Sequence, residues 1–504
     1  MVSKGLLQGR GFAKLILWAF AVGLSLLSIA EQAQAIPVFA RKYGTSCITC
    51  HTIYPKLNDI GEAFRRNGYQ FPLEDEVLVK EDPLKLGTDA YKDMFPNSIW
   101  PSTLPSLPPV SIFTLTQNVV NLQPHGQLKT WDLAFPSDIE LIGEGAFGKD
   151  ISGFYDIGFT PADGASVGRV FVQFSNLCAW DSEEDDDGCH KANPWCVLPP
   201  HFLNLRVGKI DPAILPHVIT EESFAQFSSL PTNTFSLGQT GFILSAEQPA
   251  IELDGIYKQY WSYAVGIANG GSAVSLPTDD NTFKDVYFRI DHRWFGYPLD
   301  GVLGQVVPSG NAPKSSQSNA VADDSDATAP GLDFWKAWDF DTGVYGWFGK
   351  ANVPLTPATG VAYDPNDHST FANDYFQRAG LDARLTWFDI DIYGTAFWGH
   401  DPFPGFDQNN IAAGPTDHLG YMVEADYMVK PWVCTFLRYE QVKIFNNALA
   451  DEEQARVVPG VVFAIRQNLH LSTELYIDTL GVNVPNPDIP QSTCQWVTTL
   501  WWAY

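Results

Sequence analysis

From about Val110 onward, apolar and polar residues alternate with a period of two. In "YFQRAGLDARLTW", Tyr375, Gln377, Ala379, Leu381, Ala383, Leu385 and Trp387 interleave with Phe376, Arg378, Gly380, Asp382, Arg384 and Thr386. "LGYMVEADYMVK" sets Leu419, Tyr421, Val423, Ala425, Tyr427 and Val429 against Gly420, Met422, Glu424, Asp426, Met428 and Lys430. "LHLSTELYID" does the same with Leu469, Leu471, Thr473, Leu475 and Ile477 against His470, Ser472, Glu474, Tyr476 and Asp478. Successive side chains of a strand point to opposite faces, so each stretch predicts a strand with one mostly apolar face and one polar face. Runs of about ten residues are long for a globular strand and suit a tilted strand crossing a bilayer.

Very short links predict hairpins at Trp387-Phe388, Lys430-Pro431 and Arg466-Gln467-Asn468, with Gly148-Lys149-Asp150 a further candidate. The long links 178–201, 213–240, 309–336, 402–417 and 479–493 are expected at the opposite rim, the asymmetry of outer-membrane barrels. Trp294, Phe295, Trp387, Phe388, Trp398 and Trp432 lie near strand ends, as interfacial girdle residues would. Residues 285–301 and 374–394 echo one another (Asp, aromatic, Arg, Asp, Arg, Trp-Phe), which reads as hairpin repetition. The final "CQWVTTLWWAY" places Trp496, Thr498, Leu500, Trp502 and Tyr504 on one face. The prediction is an all-β transmembrane barrel of about 16 antiparallel strands over 110–504, give or take about two. A soluble β-propeller would instead bring shorter strands and a blade repeat of about 40 to 50 residues.

The first part of the chain differs. Lys4, Arg10 and Lys14, an apolar run from Leu15 to Ile29 and Ala33-Gln34-Ala35 predict a signal peptide over 1–35. Its removal takes away three basic residues and one acid, moving the formal charge from −27 to −29. Such a surface repels nucleic acid and attracts cations. An exported chain with seven cysteines can form disulfides, and Cys178, Cys189 and Cys196 share one link in which a bridge is plausible.

"CITCH" at 47–51 is a CxxCH motif. About 0.002 such motifs are expected by chance at this composition. Two thiols at this spacing can add to the vinyl groups of one haem while the following imidazole binds the iron. Cys47 and Cys50 are therefore the predicted thioether residues and His51 the proximal ligand of one covalently attached haem c. A zinc site would want a second ligand pair, and a redox dithiol an alternating strand–helix context. Leu57, Ile60, Gly61 and Phe64 share a helical face, with Pro55 expected at the helix start and Asn67-Gly68 at its end. Arg65 and Arg66 could pair with haem propionates or be solvated charges at a helix C-terminus. For the distal iron ligand Met94 ranks first and His125 is the rival. A small α-helical c-type cytochrome domain is thus expected over 36–75, and 76–109, with five prolines between Phe95 and Val110, reads as a stiff connector.

Residues 37–69 resemble the fused cytochrome–porins of the outer membrane in iron-oxidising bacteria. The likeness lies in Pro37, Phe39-Ala40-Arg41, Gly44, Cys47, Cys50-His51, Pro55, Leu57-Asn58, Gly61, Phe64 and Gly68-Tyr69, about thirty residues. It implies a haem domain plugging a porin-sized barrel, and electron passage from extracellular Fe(II), or another extracellular donor, to a periplasmic c-type cytochrome or similar acceptor. Carboxylates at 181–190, at Asp323, Asp324 and Asp326, and at Asp451, Glu452 and Glu453 could gather divalent cations or be solvated loops. An up-and-down count sets 178–201 on the periplasmic side, against a surface role for its acids. Outward electron export through the same architecture and a haem-plugged porin are the alternatives. No hydrolase triad, phosphate loop or metalloprotease motif appears, so one-electron transfer is the chemistry left in view.

Overall fold

Sixteen strands close on themselves, each paired antiparallel with its neighbours in sequence. They are β1 (Val110–Asn121), β2 (Trp131–Ala146), β3 (Ile151–Thr160), β4 (Gly164–Phe174), β5 (Asn204–Ile210), β6 (Gln248–Tyr257), β7 (Trp261–Ala268) and β8 (Asp285–Phe295). The ring continues with β9 (Trp338–Pro354), β10 (Phe371–Trp387), β11 (Ile390–Asp401), β12 (Thr416–Lys430), β13 (Val433–Asn446), β14 (Glu452–Arg466), β15 (Leu469–Leu480) and β16 (Cys494–Ala503). β16 pairs with β1, from Gln495 opposite Asn121 to Ala503 opposite Phe113, so no strand edge is left open. This computed structural model describes residues 38–71, 75–80, 84–85, 103–104, 110–122, 124–125, 130–146, 150–161, 164–179, 198–215, 242–270, 281–302, 338–355, 359–360, 364, 367–403, 405, 414–446, 452–480, 491–492 and 494–504.

The alternation decides which face meets lipid. On β10, Tyr375, Leu381 and Trp387 are exposed outward while Phe376, Arg378, Asp382 and Arg384 are buried inward. On β12, Leu419, Val423, Tyr427 and Val429 face out while His418, Met422, Glu424 and Asp426 are buried. An apolar outer wall with all backbone groups paired around a ring is the condition for a strand protein to sit in a bilayer. Exposed Tyr257, Trp261, Trp294, Trp338, Trp387, Trp432 and Trp502 lie at one rim, and Trp131, Tyr375, Trp398 and Trp496 at the other. From Tyr375 to Trp387, about 12 steps of roughly 3.3 Å at a tilt of about 45° span roughly 28 Å, the thickness of a hydrocarbon core. The chain is a transmembrane barrel of the outer-membrane type.

Counting strands up and down corrects the expected asymmetry. The links 147–150, 258–260, 388–389, 431–432 and 467–468 do share one rim, but so do 175–203 and 296–337. The acidic stretches 181–190 and Asp323, Asp324 and Asp326, themselves outside the described residues, thus belong to links at the short-turn rim. Link length had suggested the other rim, but the parity of the strand count decides.

Pro37–Tyr504 form one compact unit, because 38–71 lie inside the barrel as a plug. The plug holds helix α1 (Val38–Tyr43), a 3-10 turn at Cys47–Thr49, a hairpin of His51–Ile53 with Lys56–Leu57, and helix α2 (Asp59–Arg66). Pro55 does not start the helix, as expected from sequence; it lies in the hairpin turn. Asn58 is the N-cap, its Oδ1 accepting from the Gly61 N–H at 3.0 Å, and Asn67 ends the helix before Gly68 at φ 71°. In the connector, Leu84–Lys85 pair with Thr103–Leu104, so the chain turns back on itself there. The signal region, Met94, Cys189 and Cys196 lie outside the described residues.

Candidate functional site

Plug and wall meet through buried ion pairs and hydrogen bonds. Lys56 pairs with Asp391 at 3.3 Å and with Asp426, which β11 and β12 present inward. Arg293 of β8 holds Asp59 at 2.9 Å, and Arg384 of β10 reaches Glu62 at 3.6 Å and the Leu57 carbonyl at 3.1 Å. Lys42 pairs with Glu144 of β2 at 3.2 Å, and Arg66 donates to Ser262 Oγ of β7 at 3.0 Å. The Val38 N–H donates to Ser111 Oγ of β1 at 2.6 Å, and Gln173 of β4 donates to the Arg66 carbonyl at 3.1 Å. Every one of these wall residues lies near the short-turn end of its strand, so the plug is seated in that mouth.

Apolar residues of plug, wall and one link also pack together in the lumen. Ile53 of the plug joins Cys434, Phe436, Val458, Val462, Tyr476 and Val497 in one apolar cluster. Tyr69 packs against a second cluster that holds Phe154, Phe171, Tyr287, Trp347 and Phe376. The link after β5 enters from the other rim: Ile214 and Leu215 are buried, and the Phe242 ring sits 5.0 Å from Trp347 and 4.6 Å from Phe376. Other inward charges form wall pairs such as Arg378–Asp401 at 2.9 Å and Arg438–Glu424 at 3.0 Å, with Glu424 at 0 % and Arg438 at 1 % exposure. The echo of 285–301 in 374–394 is this inward Arg/Asp row followed by a rim aromatic.

Cys47, Cys50 and His51 face a cavity of about 310 Å³ between plug and wall. His51 Nδ1 lies 2.9 Å from the Pro55 carbonyl, which can only accept, so Nδ1 carries the proton and Nε2 keeps its lone pair. Burial lowers the His51 pKa to about 4, which keeps the ring neutral, as a metal ligand must be. Burial pushes the Cys50 thiol up to about 12 and Cys47 in the same direction, the opposite of a reactive redox dithiol. A Cβ on Gly61 would stand 2.1 Å from the Cys50 carbonyl oxygen, so only glycine lets α2 lie against the CxxCH turn. Trp501 Nε1, on the cavity wall, is a buried donor without a partner among the described residues. These features fit a haem: two thiols, a preset imidazole and a spare donor for a group that carries carboxylates.

Wall residues that sequence reasoning missed support the turn. The Tyr54 ring lies 5.0 Å from His51, 5.4 Å from Phe113, 6.0 Å from His470 and 5.9 Å from Trp501. His470 Nδ1 donates to the Tyr54 carbonyl at 3.2 Å. No local signal marks these positions, since they meet the motif only on barrel closure. Arg65 and Arg66 line the cavity and both pair with Glu62, at 2.9 and 3.8 Å. His125 pairs its backbone with Gln491 between links of the opposite rim; its sequence proximity to the motif is undone by the span of β1.

Fold and site together define a plugged 16-stranded transmembrane barrel of the outer-membrane type. No protein-family model and no curated protein matches the chain. Among solved structures it is similar to OmpT of Vibrio cholerae, at 11% identity over 80% of this chain and 98% of that one with a TM-score of 0.45. It is also similar to an anion-selective porin from Comamonas acidovorans, at 11% identity over 78% and 98% with a TM-score of 0.46. OmpF of Salmonella typhi is matched at 10% identity over 80% and 98%, again with 0.46. The barrel assignment rests on ring closure and the apolar outer wall, not on these distant likenesses.

Proposed function

We propose that the chain is an outer-membrane electron-transfer protein whose single haem c is tethered at Cys47 and Cys50 and ligated by His51. The donor is extracellular Fe(II) and the acceptor a periplasmic c-type cytochrome. A haem bound there supplies a one-electron iron couple. The chain's own residues hold it: Pro55 sets the His51 tautomer, Gly61 lets α2 close on the motif, and Tyr54, Phe113 and Trp501 exclude water. The observation that carries this reading is the CxxCH motif lodged inside the barrel, on a plug that packs against the wall and faces a cavity. A packed barrel isolates a redox group within the membrane, where a water-filled one would serve solutes.

Barrels of this type set short turns to the periplasm, so the motif lies at the side where a soluble acceptor docks. The acidic links 175–203 and 296–337 belong to that side too. Their carboxylates therefore suit a basic partner there, leaving Asp451, Glu452 and Glu453 at the outer rim for cations. A second reading, a haem-plugged porin, is favoured by the charged rows on the inner wall.

The test uses full-length protein extracted in detergent from outer membranes and assayed for covalent haem. Mixed with Fe(II) in a stopped-flow instrument, its absorption bands should shift to the reduced form within seconds. Haem that ignores Fe(II) yet reduces with dithionite would remove iron as donor and favour outward export or the gated porin.

A further inference from the structure

We infer that the turn Cys47–Thr49 is the point where electrons leave the molecule, a docking surface centred on Ile48 for a soluble one-electron carrier at the short-turn rim. The inference rests on the haem reading above. Cys47 and Cys50 line the cavity, whereas Ile48 between them does not and stands 37 % exposed. This one turn of chain therefore stands between the two tethering sulfurs and the mouth in which the plug is seated. Electron transfer between proteins weakens steeply with distance, so a carrier gains most by seating where so little chain intervenes.

The turn is held fast from behind. Asn58 Nδ2 donates to the Ile48 carbonyl at 3.3 Å and to the Thr49 carbonyl at 3.1 Å, and the Thr45 and Thr49 hydroxyls share a hydrogen bond of 2.6 Å. The Cys47 N–H donates to Gln467 Oε1 at 3.4 Å, which sets the turn beside the link between β14 and β15. An apolar side chain held out to solvent by a fixed backbone is the kind of centre on which protein interfaces concentrate their binding. Two exposed cations stand near it. Arg466 precedes Gln467, while Lys80 has its Cγ 3.3 Å from where a Cβ on Gly44 would lie and donates its N–H to the Lys42 carbonyl at 2.8 Å. The acidic links 175–203 and 296–337 leave the ring at β4, β5, β8 and β9, on the arc away from β14 and β15. Charges of opposite sign on two arcs fix the orientation of a partner. The carrier that fits turns an apolar redox edge to Ile48, carboxylates beside that edge to Lys80 and Arg466, and a basic flank to the links. In the transfer the carrier takes up one electron as the haem iron passes from Fe(II) to Fe(III).

The experiment uses full-length protein in detergent, checked for a folded barrel by its heat-modifiable gel migration and for covalent haem by pyridine haemochrome. Absence of haem from wild type would overturn the haem reading and this inference with it. With haem present, reduced and desalted protein is mixed in a stopped-flow instrument with ferricyanide, with tris(phenanthroline)cobalt(III), or with oxidised plastocyanin, an acidic copper protein. Lys80→Glu combined with Arg466→Glu should slow the reaction with ferricyanide and speed that with the cobalt cation, each about tenfold at low salt, and both effects should shrink at high salt. Lys209→Glu, at the opposite rim, should change neither rate. Ile48→Ala, at unchanged haem content, should slow plastocyanin about fivefold. Rates for the two small ions that ignore the double charge reversal, or that respond as strongly to Lys209→Glu, would set the exit elsewhere and overturn the inference with the haem reading intact. A plastocyanin rate that Ile48→Ala leaves unchanged would overturn it too, by removing Ile48 as the centre of docking.

Discussion

Gly61 shows how one side chain, or its lack, holds the site together. A methyl group there meets the Cys50 carbonyl at 2.1 Å, and that oxygen also accepts the Asn58 N–H at 2.9 Å. The obstacle is backbone and cannot rotate away. Gly61→Ala is therefore expected to destabilise the plug by about 3 kcal/mol, and to lower the haem-to-protein ratio severalfold in purified, folded barrel. An unchanged ratio would show that the motif can load its cofactor without α2 pressed against it. From sequence, Gly61 was legible as one position on an apolar helical face. Its actual reason, contact with Cys50, needs the hairpin between them.

At the scale of elements, the plug is held by the wall more than by itself. Two short helices and a hairpin cannot bury much apolar surface alone. Lys56, Asp59 and Glu62 each meet a charge on a different strand, so the plug is pinned across β8, β10, β11 and β12. Replacing Lys56 by Met strands Asp391 and Asp426 in the interior with one cation fewer, a change that costs about 3 to 5 kcal/mol. The expected result is faster proteolysis of residues 38–71 in the intact barrel, partly reversed by Asp426→Asn in the same chain. Equal protease resistance of wild type and Lys56→Met would mean that the apolar contact of Ile53 suffices. The strands themselves were readable at β10, β12 and β15, where one face is apolar and the other polar or charged, and at β16 from its aromatic face. On β13 and β14 the inward face carries Cys434, Phe436, Val458 and Val462, so the alternation fades and only pairing with neighbours reveals the register.

For the whole molecule, the plug enters the barrel from the short-turn end, and Ile214, Leu215 and Phe242 of the link after β5 are buried from the other. Full-length protein in a planar bilayer should give no steady conductance, and a chain lacking 37–71 should open to ion flow if it still assembles as a heat-modifiable barrel. Steady conductance of the full chain, at the level of an open channel, would favour the porin reading. The same geometry separates the two faces. The CxxCH motif and two acidic links lie at the short-turn rim, while the link after β5 enters from the outer rim, so partners on the two sides of the membrane would meet different surfaces.

The sequence by itself determined the barrel and pointed to the candidate chemistry, because both are written in local pattern. A period of two sorts lipid-facing from lumen-facing residues within each strand, and CxxCH places two thiols and an imidazole within five residues. Only the tertiary structure decided where the plug sits, which rim each long link joins, and which wall residues surround His51. Those facts depend on ring closure, which brings Phe113, His470 and Trp501 together around Tyr54, and on the parity of strands between one link and the next. Neither is a property of any short stretch of chain.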